Sequence, residues 1–145
     1  MSNDAALQSF KSTIPELRTV PTRQHLFMFS AITWNRHHVH CDRDAALRDG
    51  FPDVVVHRAL IGDYLGRLIS AWLGPSGQLR CLSWRVVGSA FPDEELTCSG
   101  RVVRDDQASR SIECELIVTA PQERIVAQGS AQIDLASGVS IVSDS

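Results

Sequence analysis

The apolar pattern changes from a helical to a strand period near the middle of the chain. Between Arg58 and Leu73, apolar residues cover most of the circumference of one uninterrupted segment, which predicts a long and largely buried helix. Gly74, Pro75 and Gly77 follow and end it. The apolar positions of this central helix are Leu60, Ile61, Tyr64, Leu65, Leu68, Ile69 and Trp72.

Strand-like segments fill the chain after this helix. Residues 79–87, 96–104, 110–119 and 124–135 are rich in β-branched or alternating apolar residues, with turn residues between them. We expect four consecutive antiparallel strands that form a meander curled around the helix. This is an α+β architecture of the hot-dog type, and the absence of an internal repeat or linker predicts a single domain over residues 1–145.

The segments before the central helix are shorter. Residues 1–24 are polar and contain Pro15 and Pro21, so we expect an extended or partly ordered segment there. The apolar residues 25–29 favour a buried strand, after which Ser30 can cap a short helix. At the other end of the chain, we expect residues 136–145 to form a loose tail.

A second short helix is predicted between two stop signals. Asp42 or Asp44 can cap its start, and Gly50 can end it in a left-handed conformation. Residues 54–56, three consecutive valines, then predict a short extended entry to the central helix.

Composition excludes several classes of protein. A net charge of −3 argues against a nucleic-acid binder, and no apolar run is long enough to span a membrane. The start of the chain lacks a signal-peptide pattern, so we expect a cytoplasmic protein. The four cysteines include no C-x-x-C pair, which favours small core residues over a structural zinc site or disulfides. We expect no cofactor and no metal.

Most of the histidines lie in one stretch beside the central helix. Residues 30–60 contain four of the five, and such a concentration of titratable groups beside an apolar helix marks a candidate site. They are His37, His38, His40 and His57.

Three motifs resemble a known family. Residues 29–42, FSAITWNRHHVHCD, resemble the hydratase signature of the MaoC-like hot-dog family, and are closest to the mesaconyl-CoA hydratase-like pattern F-S-A-L-T-F-N-x-H-x-I-H-x-D. Residues 50–57, GFPDVVVH, resemble that branch's G-Y-P-G-L-V-V-H, and residues 91–96, FPDEEL, its F-x-G-D-x-L turn. The resemblance covers residues 25–135. It implies hydration of enoyl thioesters, or dehydration of 3-hydroxyacyl thioesters, by a dimer of hot-dog subunits.

Two positions depart from the family pattern. The broader family has D-x-N-P-x-H, whose Asp and His fall on Asn35 and His40 in this chain. An Asn cannot act as a general base, although the nearest branch also has Asn there. Arg58 takes the position of a Gly that often follows the last His of the second motif.

The residues suggest a division of roles. His40 suits a general base because its ordinary pKa of about 6.5 lies near working pH. Asn35 can orient the attacking water. Backbone N–H groups near Arg58 and Ala59, at the start of the central helix, can stabilise the enolate oxygen. His57 is a further substrate-binding candidate.

Each of these residues also has a structural interpretation. His40 can be a hydrogen-bonded loop histidine, Asn35 a turn or cap residue, and His57 a support for the loop. His37 and His38 fit solvent-facing or structural positions better than catalytic ones. A metal held by His38, His40 and Cys41 would lack a second cluster of ligands.

Three functions follow in order of preference. The first is hydration or dehydration of an acyl thioester carried by CoA or an acyl carrier. The second is a non-catalytic or partner-dependent subunit of a heteromeric hydratase. The third is a thioesterase, which we rank last because Asp63 comes one turn too late in the central helix. We expect a dimer or higher oligomer, homomeric or with a related hot-dog subunit.

Overall fold

A computed structural model describes residues 8–142 of the chain. Three α-helices and seven β-strands occur in this range. In chain order they are β1 (Gln8–Lys11), β2 (Leu17–Thr19), α1 (Arg23–Thr33), α2 (Arg43–Arg48), α3 (Arg58–Leu73), β3 (Gly77–Val86), β4 (Leu96–Asp106), β5 (Ser111–Ala120), β6 (Arg124–Leu135) and β7 (Val139–Val142). Short 3₁₀ turns cover His38–His40 and Gly74–Ser76.

The main sheet has five antiparallel strands in the order β2-β4-β5-β6-β3. It packs around α3, so the predicted α+β hot-dog fold is confirmed. The predicted meander is only partly right, because β3 pairs with β6 at the far edge and β2 occupies the free side of β4. Alternation along a strand indicates that a strand exists, but it carries no information about which strand lies beside it.

Helix α3 begins and ends where the sequence predicts. Its buried side chains form the centre of the core together with the inner face of the sheet. A glycine inside this helix, Gly62, leaves room for the indole of Trp84. A Cβ at Gly62 would overlap Trp84 Cζ2. Trp84 Nε1 also donates a hydrogen bond to the carbonyl oxygen of Arg58, at 3.0 Å.

The predicted strand over residues 25–29 is wrong, because these residues lie inside helix α1. The side chain of Thr22 caps this helix by accepting a hydrogen bond from the backbone N–H of His25, at 3.1 Å. Leu26 and Ser30, one helical turn apart, are its buried residues. Ser30 therefore lies within the helix and does not cap it. Four apolar residues in succession suit either a strand or one helical turn. The cap at Thr22 favours the helix.

The second short helix agrees with the sequence. Asp42 Oδ1 accepts a hydrogen bond from the backbone N–H of Ala45 at 3.1 Å, which caps α2. Gly50 follows with a φ of 89°, the left-handed conformation that glycine adopts without steric cost.

The end of the chain differs from the expected loose tail. Residues Val139–Val142 form β7, which pairs in parallel with β1. The predicted extended start is likewise organised into β1, β2 and the first residues of α1. Residues 1–7 and 143–145 lie outside the described part of the chain.

The cysteines only partly occupy the core. Cys98 and Cys114 are buried, as predicted, whereas Cys41 and Cys81 are exposed. Within residues 8–142, no helix has the length and apolar character needed to cross a membrane.

Candidate active site

His40 lies in the 3₁₀ turn that connects α1 with α2, and a backbone carbonyl fixes its ring. Nδ1 of His40 lies 2.7 Å from the carbonyl oxygen of Val55. Because a carbonyl oxygen only accepts, Nδ1 carries the hydrogen and Nε2 has a free lone pair when the ring is neutral. The side chain is half-buried. The valine segment before α3, residues 54–56, therefore sets the tautomer that a general base needs.

His57 packs directly against His40. The two imidazole centroids are 4.0 Å apart, and the ring planes are inclined by 22°. His57 is fully buried, and its Nε2 shares a hydrogen bond of 2.7 Å with the hydroxyl of Ser30. Phe29 contacts the same ring, with centroids 4.9 Å apart. Among the described residues, Nδ1 of His57 has no hydrogen-bond partner.

Burial keeps both imidazoles neutral near pH 7. Burial, with smaller contributions from the neighbouring His40 and His25, lowers the pKa of His57 to about 4. Burial also lowers the pKa of His40, the hydrogen bond to Val55 opposes that shift, and His37 adds to it. A neutral imidazole at neutral pH is the form that can accept a proton.

Asn35 forms the turn that begins the histidine loop, residues 34–42 between α1 and α2. Its Oδ1 accepts a hydrogen bond from the backbone N–H of His37 at 3.1 Å, and its own N–H donates to the carbonyl oxygen of Ser30 at 2.9 Å. The turn interpretation of Asn35 therefore has direct support. The side chain is half-buried. Within the described part of the chain, the bond from His37 N–H to Oδ1 is its only polar contact, so the amide NH₂ remains available as a donor.

The other two histidines of the loop are exposed. His37 Nδ1 accepts a hydrogen bond from the N–H of Val39 at 3.4 Å, and His38 Nε2 lies 3.6 Å from Asp49 Oδ2. No group of three or more metal-ligating side chains occurs among residues 8–142. These contacts fit the structural role that the sequence suggested for His37 and His38.

The start of α3 follows His57 immediately. The first backbone N–H groups, at Arg58 and Ala59, have no intrahelical partner, and the side chain of His57 does not cap them. They also lie at the positive end of the helix dipole. The Arg58 guanidinium packs 5.7 Å from the Trp84 ring centroid and donates to the carbonyl oxygen of Trp84 at 3.4 Å. The side chain of Arg58 is therefore engaged with β3.

An ion pair anchors the segment that supports both histidines. Asp53 binds Arg23 through two hydrogen bonds, one of them Nε to Oδ1 at 3.2 Å, and Asp53 Oδ1 also accepts from the N–H of Val54 at 2.8 Å. This pairing lowers the pKa of Asp53. Sequence analysis identified neither Asp53 nor Ser30 as part of the site, because their partners are distant in the chain.

The turn over residues 91–96 also approaches this segment. The N–H of Val56 donates to the carbonyl oxygen of Ala90 at 2.9 Å. Asp93 stands where the family pattern has Gly, and its φ is 65°. Glu94 accepts from the N–H of Phe91 at 3.0 Å and from Arg124 at 2.6 Å. All three motifs that carry the resemblance therefore meet around the valine segment.

A groove also lies on the sheet, away from the histidines. Its volume is about 550 Å³, and it extends across β4, β5 and β6 between Ser99 and Gln128. Its lining includes no residue of the histidine loop or of α3. The histidines that form the candidate site therefore lie outside this groove.

Comparisons with known proteins identify the family of the chain. Residues 2–92 match the Htd2 family, hydroxyacyl-thioester dehydratase type 2. No curated protein sequence matches significantly. The range of the family match includes the histidine loop, the valine segment, α3 and the start of the 91–96 turn.

Solved structures with the same architecture have low sequence identity. The ChsH1–ChsH2 complex from Mycobacterium tuberculosis contains a chain with 19% identity and a TM-score of 0.78, over 86% of this chain and 95% of that one. The (R)-hydratase from A. caviae involved in PHA biosynthesis has 17% identity and a TM-score of 0.78, over 84% and 93%. A MaoC-like dehydratase has 18% identity and a TM-score of 0.78, over 88% of this chain and 40% of that one.

At such identities these similarities establish the fold alone, and the family assignment depends on the sequence match. The resemblance to MaoC-like hot-dog hydratases and dehydratases is confirmed. The matched range is more than half of the 145 residues, and the chain belongs to the hydroxyacyl-thioester dehydratase type 2 family.

Proposed function

We propose that this chain catalyses the reversible addition of water to an enoyl thioester, with His40 as the general base. The observation that carries the proposal is the hydrogen bond from His40 Nδ1 to the carbonyl oxygen of Val55. It leaves Nε2 as the basic nitrogen, in a ring that burial keeps neutral. The family assignment independently supports acyl-thioester hydration or dehydration.

The reaction can proceed with one histidine. In hydration, His40 Nε2 takes a proton from water while the oxygen bonds to C3 of the enoyl group. The electron pair moves through C2 to the thioester oxygen, and the resulting enolate then takes the proton from His40 at C2. Dehydration is the same path reversed. The balance is one water added or lost, with the base regenerated.

The start of α3 supplies the stabilising donors in this proposal. Backbone N–H groups of Arg58 and Ala59 point out of an uncapped helix end, where the dipole favours the developing negative charge. This role needs no particular side chain, so Arg58 in place of the usual Gly is compatible with it.

Asn35 and His57 take different parts. The free amide NH₂ of Asn35 orients the attacking water, while its Oδ1 holds the turn. We had named His57 as a substrate-binding candidate, but its fully buried ring fits support of His40 better than contact with substrate. A carboxylate general base is not part of the proposal.

A direct assay tests the reaction. Purified protein, alone and with any co-encoded hot-dog subunit, is mixed with enoyl thioesters of several chain lengths on CoA and on acyl carrier protein. We expect loss of the enoyl absorbance and formation of the 3-hydroxyacyl product. If no thioester of the panel is turned over, either by the protein alone or with the partner subunit, the proposal is rejected.

The assembly proposal depends on the edge of the sheet. Among the described residues β3 pairs only with β6, so its other side presents unpaired backbone groups. Helix α1 and the residue that follows it expose large apolar side chains, with Phe27 62%, Ile32 81% and Trp34 72% accessible. We propose a dimer with a second hot-dog subunit, identical or related. Two similar structures come from complexes, ChsH1–ChsH2 and HadBC.

A thioesterase remains the least favoured activity. One similar structure is titled a hypothetical thioesterase with coenzyme A, with a TM-score of 0.58. The first turn of α3 contains no acidic residue, so the helix lacks a carboxylate beside the proposed thioester oxygen. Release of free thiol from an acyl-CoA in the same assay would identify this activity.

A further inference from the structure

The ring of His40 rests on a second, completely enclosed imidazole. With centroids 4.0 Å apart and nearly parallel planes, the rings of His40 and His57 are in van der Waals contact and no water separates them. His57 therefore forms one wall of the space that His40 can occupy. Any rotation of His57 would change the position of His40.

A hydroxyl from another element holds His57 in place. Ser30 lies on α1, is itself buried, and its Oγ is 2.7 Å from His57 Nε2. Because Nδ1 of His57 has no partner among the described residues, Ser30 is the polar contact that fixes the rotation of this ring. The hydroxyl thereby connects α1 to the start of α3, beside the proposed enolate donors.

The groups that act electrostatically on this pair are all histidines. His25 on α1 disfavours a charge on His57, and His37 in the following loop disfavours one on His40. His40 also disfavours a charge on His57, and no carboxylate acts on either ring. An imidazole oriented by a carboxylate would be stabilised as a cation, whereas here the environment favours the neutral ring.

We propose that Ser30 and His57 are positioning residues that hold the neutral His40 ring in a single orientation without touching the substrate. This inference rests on the proposed role of His40 as the base. It assigns to Ser30 a function that its position in the interior of a helix does not indicate. The predicted consequence is that removal of one hydroxyl loosens His57 and admits water to the inner face of His40.

The test compares two hydroxyl deletions on α1. Ser30→Ala removes the contact with His57, and Thr33→Ala removes an exposed hydroxyl that bonds the carbonyl oxygen of Phe29 at 2.6 Å. We expect Ser30→Ala to lower kcat about tenfold, the effect of one hydrogen bond, with KM unchanged. The acidic limb of its pH–rate profile should move up toward about 6.5, while Thr33→Ala leaves kcat and the limb unchanged.

A second readout does not depend on activity. NMR titration of the His40 ring in ¹⁵N-histidine protein should show the same upward movement in Ser30→Ala and none in Thr33→Ala. If Ser30→Ala lacks a folded circular-dichroism spectrum, Ser30→Cys keeps the volume with a weaker donor and should show a smaller shift in the same direction.

The outcomes separate the inference from the proposed reaction. A shifted His40 titration in a protein that turns over no thioester supports the positioning role while the proposed function fails. An unchanged His40 titration and unchanged kcat in folded Ser30→Ala would overturn the inference. The inference would also be overturned if Ser30→Ala loses turnover only in proportion to a lower melting temperature while the His40 titration stays unchanged.

Discussion

At the scale of single residues, the site depends on which ring nitrogen of His40 and of His57 is held in a hydrogen bond. His40 was identified from the sequence because it lies within a contiguous motif. Ser30 belongs to the same motif, but its partner His57 is 27 positions away and becomes its neighbour only when α1 packs against α3. Side-chain pairs of this kind depend on tertiary packing, so no local pattern predicts them.

Asn35 combines a turn contact with a proposed catalytic contact, and two substitutions separate them. Asn35→Asp keeps the acceptor for the N–H of His37, so we expect an unchanged melting temperature and retained or higher turnover. Asn35→Ala loses that bond, which should cost about 0.5–2 kcal/mol of stability, as for other side chains that cap backbone N–H groups. Thermal unfolding and kcat are the measurements. If Asn35→Ala changes neither, the residue has no part in the site.

The buried His57 makes stability depend on pH. Its pKa of about 4 in the folded chain lies below the unfolded value, so the unfolded state binds more protons in acid. The contribution of His57 is fully present above about pH 6.5 and is lost as the pH falls toward 4, by about 3 kcal/mol in all.

Chemical denaturation across that range provides the measurement. His57→Gln cannot titrate, so its free energy of unfolding should fall less steeply with acidification than that of the unsubstituted chain, while the two slopes coincide between pH 7 and 8. Equal slopes throughout the acid range would show that folding does not lower the pKa of His57.

At the scale of elements, the two glycines of α3 are expected to behave in opposite ways. A Cβ at Gly62 would overlap the Trp84 ring, so Gly62→Ala should destabilise the chain by about 1–3 kcal/mol through overpacking. At Gly66 the nearest atom is Leu82 Cδ2 at 3.8 Å, so Gly66→Ala should be neutral or stabilising by up to about 1 kcal/mol. Urea unfolding of both variants decides this, and the reverse order would mean that Trp84 does not rest on Gly62.

Element prediction succeeded where one periodicity ran for many residues. Helix α3 and strand β6 have the predicted bounds. The apolar pattern of α3 continues over 16 residues, and the alternation of β6 continues over 12. The first part of α1 was predicted as a strand because its apolar residues are consecutive, and several of them, such as Phe27 and Met28, remain exposed. Strand β7 was missed because its stability comes from β1, at the opposite end of the chain.

At the scale of the whole molecule, the unpaired edge of β3 predicts association. A dimer would have about twice the 16.0 kDa of one chain, and a heteromer would form with a related hot-dog subunit. Light scattering across a dilution series, with activity measured in parallel, tests this expectation. A folded and fully active monomer at every concentration would contradict it.

The account as a whole depends on His40, and one matched pair of variants tests it most directly. His40→Ala removes the proposed base and should reduce turnover of an enoyl thioester by about 10²–10⁴-fold, the usual contribution of general-base catalysis. His38→Ala removes an exposed ring from the same turn and should have a mild effect. Both proteins should keep the fold by circular dichroism. A large loss in His38→Ala with little change in His40→Ala would contradict the assignment of the base.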